Sequence, residues 1–222
     1  MEKKRYSIVY EDEHLMVIDK PSGMLVIPTP KKETNTLTDL LNRDLDLRGI
    51  EANAYPCHRL DRETSGLMVY AKGKSIQRLM MDEFKKRAVK KTYIAFAQGT
   101  VQGSFGTITR NIYDKNKGRS IPALTKYKVT ERNRGFSVLE VEPVTGRTNQ
   151  IRIHLKAIGH PIVGESVYAF RKDYKLRFKR VALHAKRLEF KHPMTRGRMV
   201  FDSPLPSDMR DFLLTINDKK VC

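Results

Sequence analysis

The stretch Pro56-Cys57-His58-Arg59-Leu60-Asp61-Arg62-Glu63-Thr64-Ser65-Gly66-Leu67-Met68-Val69-Tyr70-Ala71 decides how the rest of the chain is read. Leu67 to Ala71 is an unbroken apolar run of strand length, which predicts a buried strand. Ahead of it, Asp61 stands among polar and cationic residues at the strand's mouth. Functional groups concentrate in such places, because a rigid strand positions what a loop exposes. The plainer account is a turn in which Asp, Thr and Ser satisfy backbone groups. The wider sequence favours the functional one.

Outward from that stretch, Tyr6–Tyr10 and His14–Asp19 predict two strands joined by the acidic turn Glu11-Asp12-Glu13, and Lys20-Pro21-Ser22-Gly23 closes the second. Leucines 37, 40, 41 and 45 give the segment Thr36–Leu47 the stripe of a core-facing helix. Downstream, Ser75 is the expected N-cap of a helix with Ile76, Leu79, Met80 and Phe84 on one face. A basic cluster, Lys85-Lys86-Arg87 and Lys90-Lys91, leads into the predicted strand Thr92–Ala97. Thr100–Ile121, rich in glycine and charge, reads as a long connection bearing Arg110, Lys115, Lys117 and Arg119. Ala123–Val129 and Phe136–Val141 flank Asn133-Arg134-Gly135 and predict an antiparallel hairpin. Pro143–Leu155 starts as a turn and enters a helix that Gly159 and Pro161 should stop, and Pro206–Ile216 predicts a closing helix.

The 222 residues suit one domain over 1–222, or two fused lobes sharing a core. Two cysteines, Cys57 and the terminal Cys222, make no disulfide framework, which fits a reducing cytoplasm. No stretch approaches the ~20 apolar residues of a membrane span, and the first residues carry no signal core. Lysine and arginine number 43 against 25 acids, a net charge of +18, so a polyanion is the expected partner and nucleic acid the commonest one. On that basis Lys115, Lys117 and Arg119 are candidate contacts to an RNA backbone. The six histidines show no metal-binding spacing, so no metal is expected. Cys57 beside His58 suggests a thiol nucleophile only superficially, since adjacent residues on an extended loop point apart.

His58-Arg59-Leu60-Asp61-x-x-Thr64-Ser65-Gly66 resembles the signature loop of RNA pseudouridine synthases, in particular the ribosomal large subunit pseudouridine synthase A branch. Lys91-x-Tyr93 resembles that family's second motif, and Arg147-Thr148-Asn149-Gln150-Ile151-Arg152 its third. The resemblance continues through Gly159–Gly164 and Leu183–Pro193, covering nearly the whole chain. It implies a mixed α/β fold with a largely antiparallel, bent sheet, flanking helices and a catalytic cleft between two lobes. It also implies that Asp61 is the catalytic carboxylate, that Arg152 is the basic residue paired with it, and that Tyr93 stacks on the target base, with Lys91 beside it. Arg59 is then a candidate for the flanking phosphate or for the vacated base stack.

Two departures stand out. Asn149 replaces the usual histidine, which bears on proton transfer at that site and not on Asp61. Gly164-Glu165-Ser166-Val167-Tyr168-Ala169 departs from the usual Asp and Gly pattern, so the loop Glu165–Phe170 is expected to be reshaped. The RNA-binding domain that often precedes this family's catalytic domain is not expected here, so target choice is expected to rest on the catalytic domain or on partners. The implied reaction breaks the glycosidic bond of a uridine, turns the uracil and rejoins it through carbon, without cofactor or metal. The expected partner is ribosomal or transfer RNA, and the expected state a monomer. The alternative is a non-catalytic RNA-binding or ribosome-assembly protein on the same fold.

Overall fold

The computed structural model describes residues 6–31, 33–115, 117–169 and 176–218. The chain forms two units, Met1–Lys90 with Arg187–Ser203, and Lys91–Lys186 with Pro204–Cys222. In the first, Ser7–Glu11 (β1) and Leu15–Lys20 (β2) make the expected antiparallel pair. Asp12 closes their turn by accepting the amides of His14 and Leu15 at 2.8 and 2.7 Å. Leu37–Leu47 (α1) starts with a capping box, in which Thr36 accepts the Asp39 amide and Asp39 accepts the Thr36 amide. Its Leu37, Leu41 and Leu45 are buried, as the leucine stripe predicts.

Ala54–Pro56 (β3) and β2 both pair antiparallel with Ser65–Lys72 (β4). Every β4 residue before Lys72 is buried. Leu67, Val69 and Ala71 pack with Leu15 and Val17 against Ile76 and Met80 of Lys74–Lys85 (α2). On the other parity, the Tyr70 hydroxyl lies 3.2 Å from that of Thr38 on α1. Successive side chains of a strand point to opposite faces, so burying both faces is what makes this run continuously apolar.

Two details of α2 correct the sequence reading. The N-cap is Gly73, not Ser75, because the chain leaves β4 at φ 104° and is already helical at Lys74. Leu79 is 44% exposed, since the buried line runs from Ile76 to Met80 and leaves Leu79 at its margin.

The second unit begins with Lys90–Gln98 (β5) and continues with Phe105–Thr109 (β6), Ile112–Asp114 (β7), Arg119–Ile121 (β8), Leu124–Asn133 (β9) and Phe136–Pro143 (β10). β10 lies between β5 and β9, and β9 pairs with β6, all antiparallel; β9 and β10 are the expected hairpin. Thr100–Ile121 is therefore not a plain connection. Its sparse Ile108, Ile112 and Ile121 are each buried, enough to seat β6 on β9 and to pair β7 with β8. The tertiary ladder overrides a local composition that reads as loop.

Gln150–Ala157 (α3) follows, and Gly159 at φ 82° ends the helical stretch as expected. Leu183–Lys191 (β11) leaves this unit after Lys186, and its Arg187–Lys191 pairs with Arg198–Asp202 (β12) in the first. Ser207–Asp218 (α4) closes the chain: Phe212 packs against Phe96, Phe136 and Phe178 at ring distances of 5.3–6.0 Å. Asp208 at its start takes a bidentate pair from Arg180 at 2.6 and 2.9 Å. The fold class is mixed α/β with largely antiparallel strands and few flanking helices, as the sequence implied.

Candidate active site

Asp61 is half-buried in the loop between β3 and β4. Its neighbours' main chain is fastened residue by residue. The Asp61 carbonyl accepts the Thr64 amide at 3.1 Å. The Arg62 carbonyl accepts the Gly23 amide at 2.8 Å and Lys20 Nζ at 3.2 Å, and the Glu63 carbonyl accepts Ser22 Oγ at 2.8 Å. Lys20 is fully buried and donates also to the carbonyls of Pro21 and Met24, each at 2.9 Å. An ammonium carries three N–H donors, and a buried one is tolerable only when they are met. The Lys20–Gly23 turn thus uses one buried charge to fix the loop that carries the acid.

The segment before Asp61 is equally tied down. His58 Nε2 accepts the Val69 amide at 3.1 Å, and its ring lies 4.8 Å from Phe84. A ring nitrogen that accepts an amide bond has a structural task. Cys57 is buried in the apolar cluster under β4, and burial pushes its thiol up to about 12. A thiol so rarely ionised is no nucleophile.

In the second unit, Arg152 lies on α3 and is 7% exposed. Its Nε and Nη2 donate to the two carboxylate oxygens of Glu165, each at 2.7 Å. This forked geometry is the strong form of a guanidinium–carboxylate pair. Glu165 accepts the amides of Val167 and Tyr168 as well, at 2.8 and 3.2 Å. Burial alone would raise its carboxyl, but Arg152 and these amides more than offset that and hold it below the usual range. Gly164, at φ 81°, makes the turn possible: a Cβ there would lie 1.8 Å from the Arg180 carbonyl oxygen. The loop before α3 is fixed by Gln150, which accepts from Thr145 Oγ1 and the Arg147 amide at 2.7 and 3.0 Å, and donates to the Leu124 carbonyl and Thr125 Oγ1 at 2.9 Å each.

Lys91 and Tyr93 share one face of β5, two residues apart. Tyr93 is 8% exposed. Burial lowers the Lys91 ammonium, whose Nζ sits 3.7 Å from the place a Cβ on Gly146 would take. Arg59 is exposed in the first unit; Lys115, Lys117 and Arg119 are exposed on the β7–β8 hairpin of the second. Asp61 belongs to the first unit, and Tyr93 and Arg152 to the second.

Sequence reasoning missed Lys20, Gln150 and the Arg152–Glu165 pair. Lys20 stood only as part of a turn, Gln150 and Arg152 as part of the third motif, and Glu165 as part of a loop that departs from the family pattern; Phe170, at the end of that loop, lies outside the described residues. Among the described residues no helix is long and apolar enough to cross a membrane.

Residues 14–157 match the family described as RNA pseudouridylate synthase. Over 221 residues the chain is 35% identical to the uncharacterized RNA pseudouridine synthase YhcT of Bacillus subtilis (strain 168), an alignment that covers 94% of this chain and 71% of that protein. It is 38% identical over 221 residues to the ribosomal large subunit pseudouridine synthase D of Pseudomonas aeruginosa, covering 90% and 68%. Among solved structures, Human RNA Pseudouridylate Synthase Domain Containing 4 matches with a TM-score of 0.80 at 25% identity, over 95% of this chain and 93% of that one. Sequence family, curated relatives and fold agree, and the chain belongs to the RNA pseudouridine synthases, isomerases that act on RNA.

Proposed function

We propose that this chain isomerises specific uridines to pseudouridine in structured ribosomal or transfer RNA, with Asp61 as the catalytic carboxylate. The observation that carries the reading is the Asp61 loop: three successive carbonyls, at 61, 62 and 63, are each hydrogen-bonded, two of them to the Lys20–Gly23 turn. A carboxylate held this way is oriented before the substrate arrives, which is where much of catalysis comes from. Its ionised form attacks the sugar at C1′ or removes a proton from C2′. Arg152 and Tyr93 serve the same reaction, the first as the basic residue and the second by stacking on the extruded base. Flipping a base costs a few kcal/mol, and an aromatic contact returns about 1–3. No cofactor or metal enters this chemistry.

Arg59, Lys91, Lys115, Lys117 and Arg119 contact the RNA backbone; exposure of four of them and the net charge of +18 support this. The match over residues 14–157 runs across both units, which supports one catalytic domain spanning residues 1–222. Assignment to the pseudouridine synthase A branch rests on the Asp61 and Lys91-x-Tyr93 motifs, while the curated relatives include D synthases. We assign the protein to the cytoplasm, as a monomer.

The test maps pseudouridines in RNA from cells lacking the protein, then converts the mapped site in vitro with purified protein. Asp61→Asn keeps the side chain's size and removes its charge. It should lower the single-turnover rate by about 10²–10⁴-fold while RNA affinity stays within a few-fold. Product formation near the wild-type rate would remove Asp61 from the mechanism.

A further inference from the structure

The start of α3 and the loop after Gly164 meet in a hydrogen-bonded ring of which the proposed reaction uses Arg152 alone. Arg152 Nη1 lies 3.3 Å from Asn149 Oδ1, and Asn149 Nδ2 lies 2.7 Å from the Tyr168 hydroxyl. A guanidinium offers only donors, so the amide atom facing Arg152 must be the oxygen. The opposite face of the amide is then NH₂, which can only donate. Tyr168 therefore accepts from Asn149, and the phenol's own proton is turned elsewhere. No described residue accepts that proton.

Tyr168 is also held in place. Its amide donates to Glu165 Oε1 at 3.2 Å, and its ring lies 5.2 Å from the Arg152 guanidinium. The residue is half-buried, and its hydroxyl is held by the Asn149 amide. Asn149 itself is locked at φ 55°, a left-handed conformation that asparagine tolerates better than most residues. A fixed hydroxyl, its acceptor role filled and its proton uncommitted among the described residues, beside an arginine of the proposed machinery, is arranged as a donor.

We propose that Tyr168 is an RNA-binding residue that donates its hydroxyl proton to an oxygen of the substrate near the target uridine, and that Asn149 is the positioning residue that aims it. The acceptor is a uracil carbonyl or a phosphate oxygen. This deepens the proposed function and rests on it. It also gives the Asn149 departure a consequence: the amide cannot titrate, so the phenol's orientation holds at every working pH.

Asp at 149 separates this from a merely structural role. Aspartate still accepts from Arg152 and still hydrogen-bonds the phenol, but only by taking the phenol's proton. If the ring served stability alone, Asn149→Asp would be tolerated. Under the proposal, Tyr168→Phe and Asn149→Asp each lower the single-turnover rate divided by the RNA dissociation constant about tenfold, the scale of one lost hydrogen bond. Asn149→Asp in the Tyr168→Phe background adds nothing, with thermal midpoints close to that of the parent chain.

The probe is a transcript carrying the mapped uridine. With 2-thio- or 4-thiouridine at the target, the penalty of Tyr168→Phe vanishes if the acceptor is a uracil carbonyl. With a methylphosphonate at the adjoining linkage, it vanishes if the acceptor is a phosphate. A penalty that survives all these substitutions overturns the proposal. So does a wild-type rate for either single variant, or a further fall in the double variant, which would mean the aspartate acts through Arg152. Failure of the wild-type chain to convert the transcript would speak against the functional reading itself.

Discussion

The loop of Asp61 and the side chain of Arg152, both proposed for the reaction, are fastened by different kinds of bond. The acid's loop is fastened through its main chain, by a buried lysine and a serine that hydrogen-bond carbonyls at 62 and 63. The base is fastened through its own charged group, forked onto Glu165 at 2.7 Å twice. Tying backbone carbonyls fixes the path of the loop through groups that take no part in the proposed chemistry. A guanidinium has five donors and can give three to a carboxylate and an amide while still bearing its charge. A main-chain fastening for the Asp61 loop and a forked ion pair for Arg152 both hold groups of the proposed mechanism in place.

The sharpest way to break that comparison is to cut the direct fastening. Glu165→Ala leaves Arg152 buried without its counter-ion, and Arg152→Met leaves Glu165 so. Each should cost about 3–5 kcal/mol of stability, measured by denaturant unfolding. Arg152→Met with Glu165→Met removes both charges and should recover most of that loss, yet the single-turnover rate should remain about 10²-fold down, because the cation is gone. Recovery of rate along with stability would reduce Arg152 to a structural residue.

Acid provides a gentler version of the same cut. The Glu165 carboxyl is held below its ordinary value of 4.5 in the fold, so the unfolded chain takes up its proton first as pH falls. Its contribution is fully present above about pH 4.5 and is lost as pH falls through the depressed value. The stability gap between wild type and Glu165→Gln should therefore stay level from pH 7 to 5 and narrow below that. A gap that closes above pH 5 would contradict the pairing.

The indirect fastening is tested by Lys20→Met, which keeps the length of the buried stem and removes the donors. The carbonyls of Pro21, Met24 and Arg62 lose a partner, at a cost of about 1–3 kcal/mol. Turnover should fall together with stability while RNA affinity holds, because the loosened loop no longer orients Asp61. Unchanged turnover in the folded variant would show that the loop needs no such support.

The mildest effect is expected away from both charges. Replacing Lys115, Lys117 and Arg119 by Ala should weaken RNA binding and reduce the slope of log affinity against log salt by about three, one per lost phosphate contact. The single-turnover rate at saturating RNA should not move. A strong fall in that rate would bring the β7–β8 hairpin into the chemistry.

Features that depend on neighbours along the chain are written in its local order of residues. Leu67–Ala71 is apolar at every position because β4 is covered on both faces, and the leucine stripe of α1 and the turn residues between β9 and β10 are equally local signals. Asp61 and the motif around it were legible for the same reason, as a short run of fixed spacing. Partnerships across long separations emerge only once the chain has folded. Lys20 reads as the polar end of a strand until the loop 42 residues later adds an acceptor to those of Pro21 and Met24. Glu165 reads as a loop acid until Gly164, pressed against the Arg180 carbonyl, turns it onto Arg152. The strand β6 exists because β9 offers it a ladder, β7 and β8 because they pair with each other, and all three because scattered isoleucines find cover. A buried charge or a short edge strand is stable only through partners brought from elsewhere in the chain, and no local window of sequence contains them.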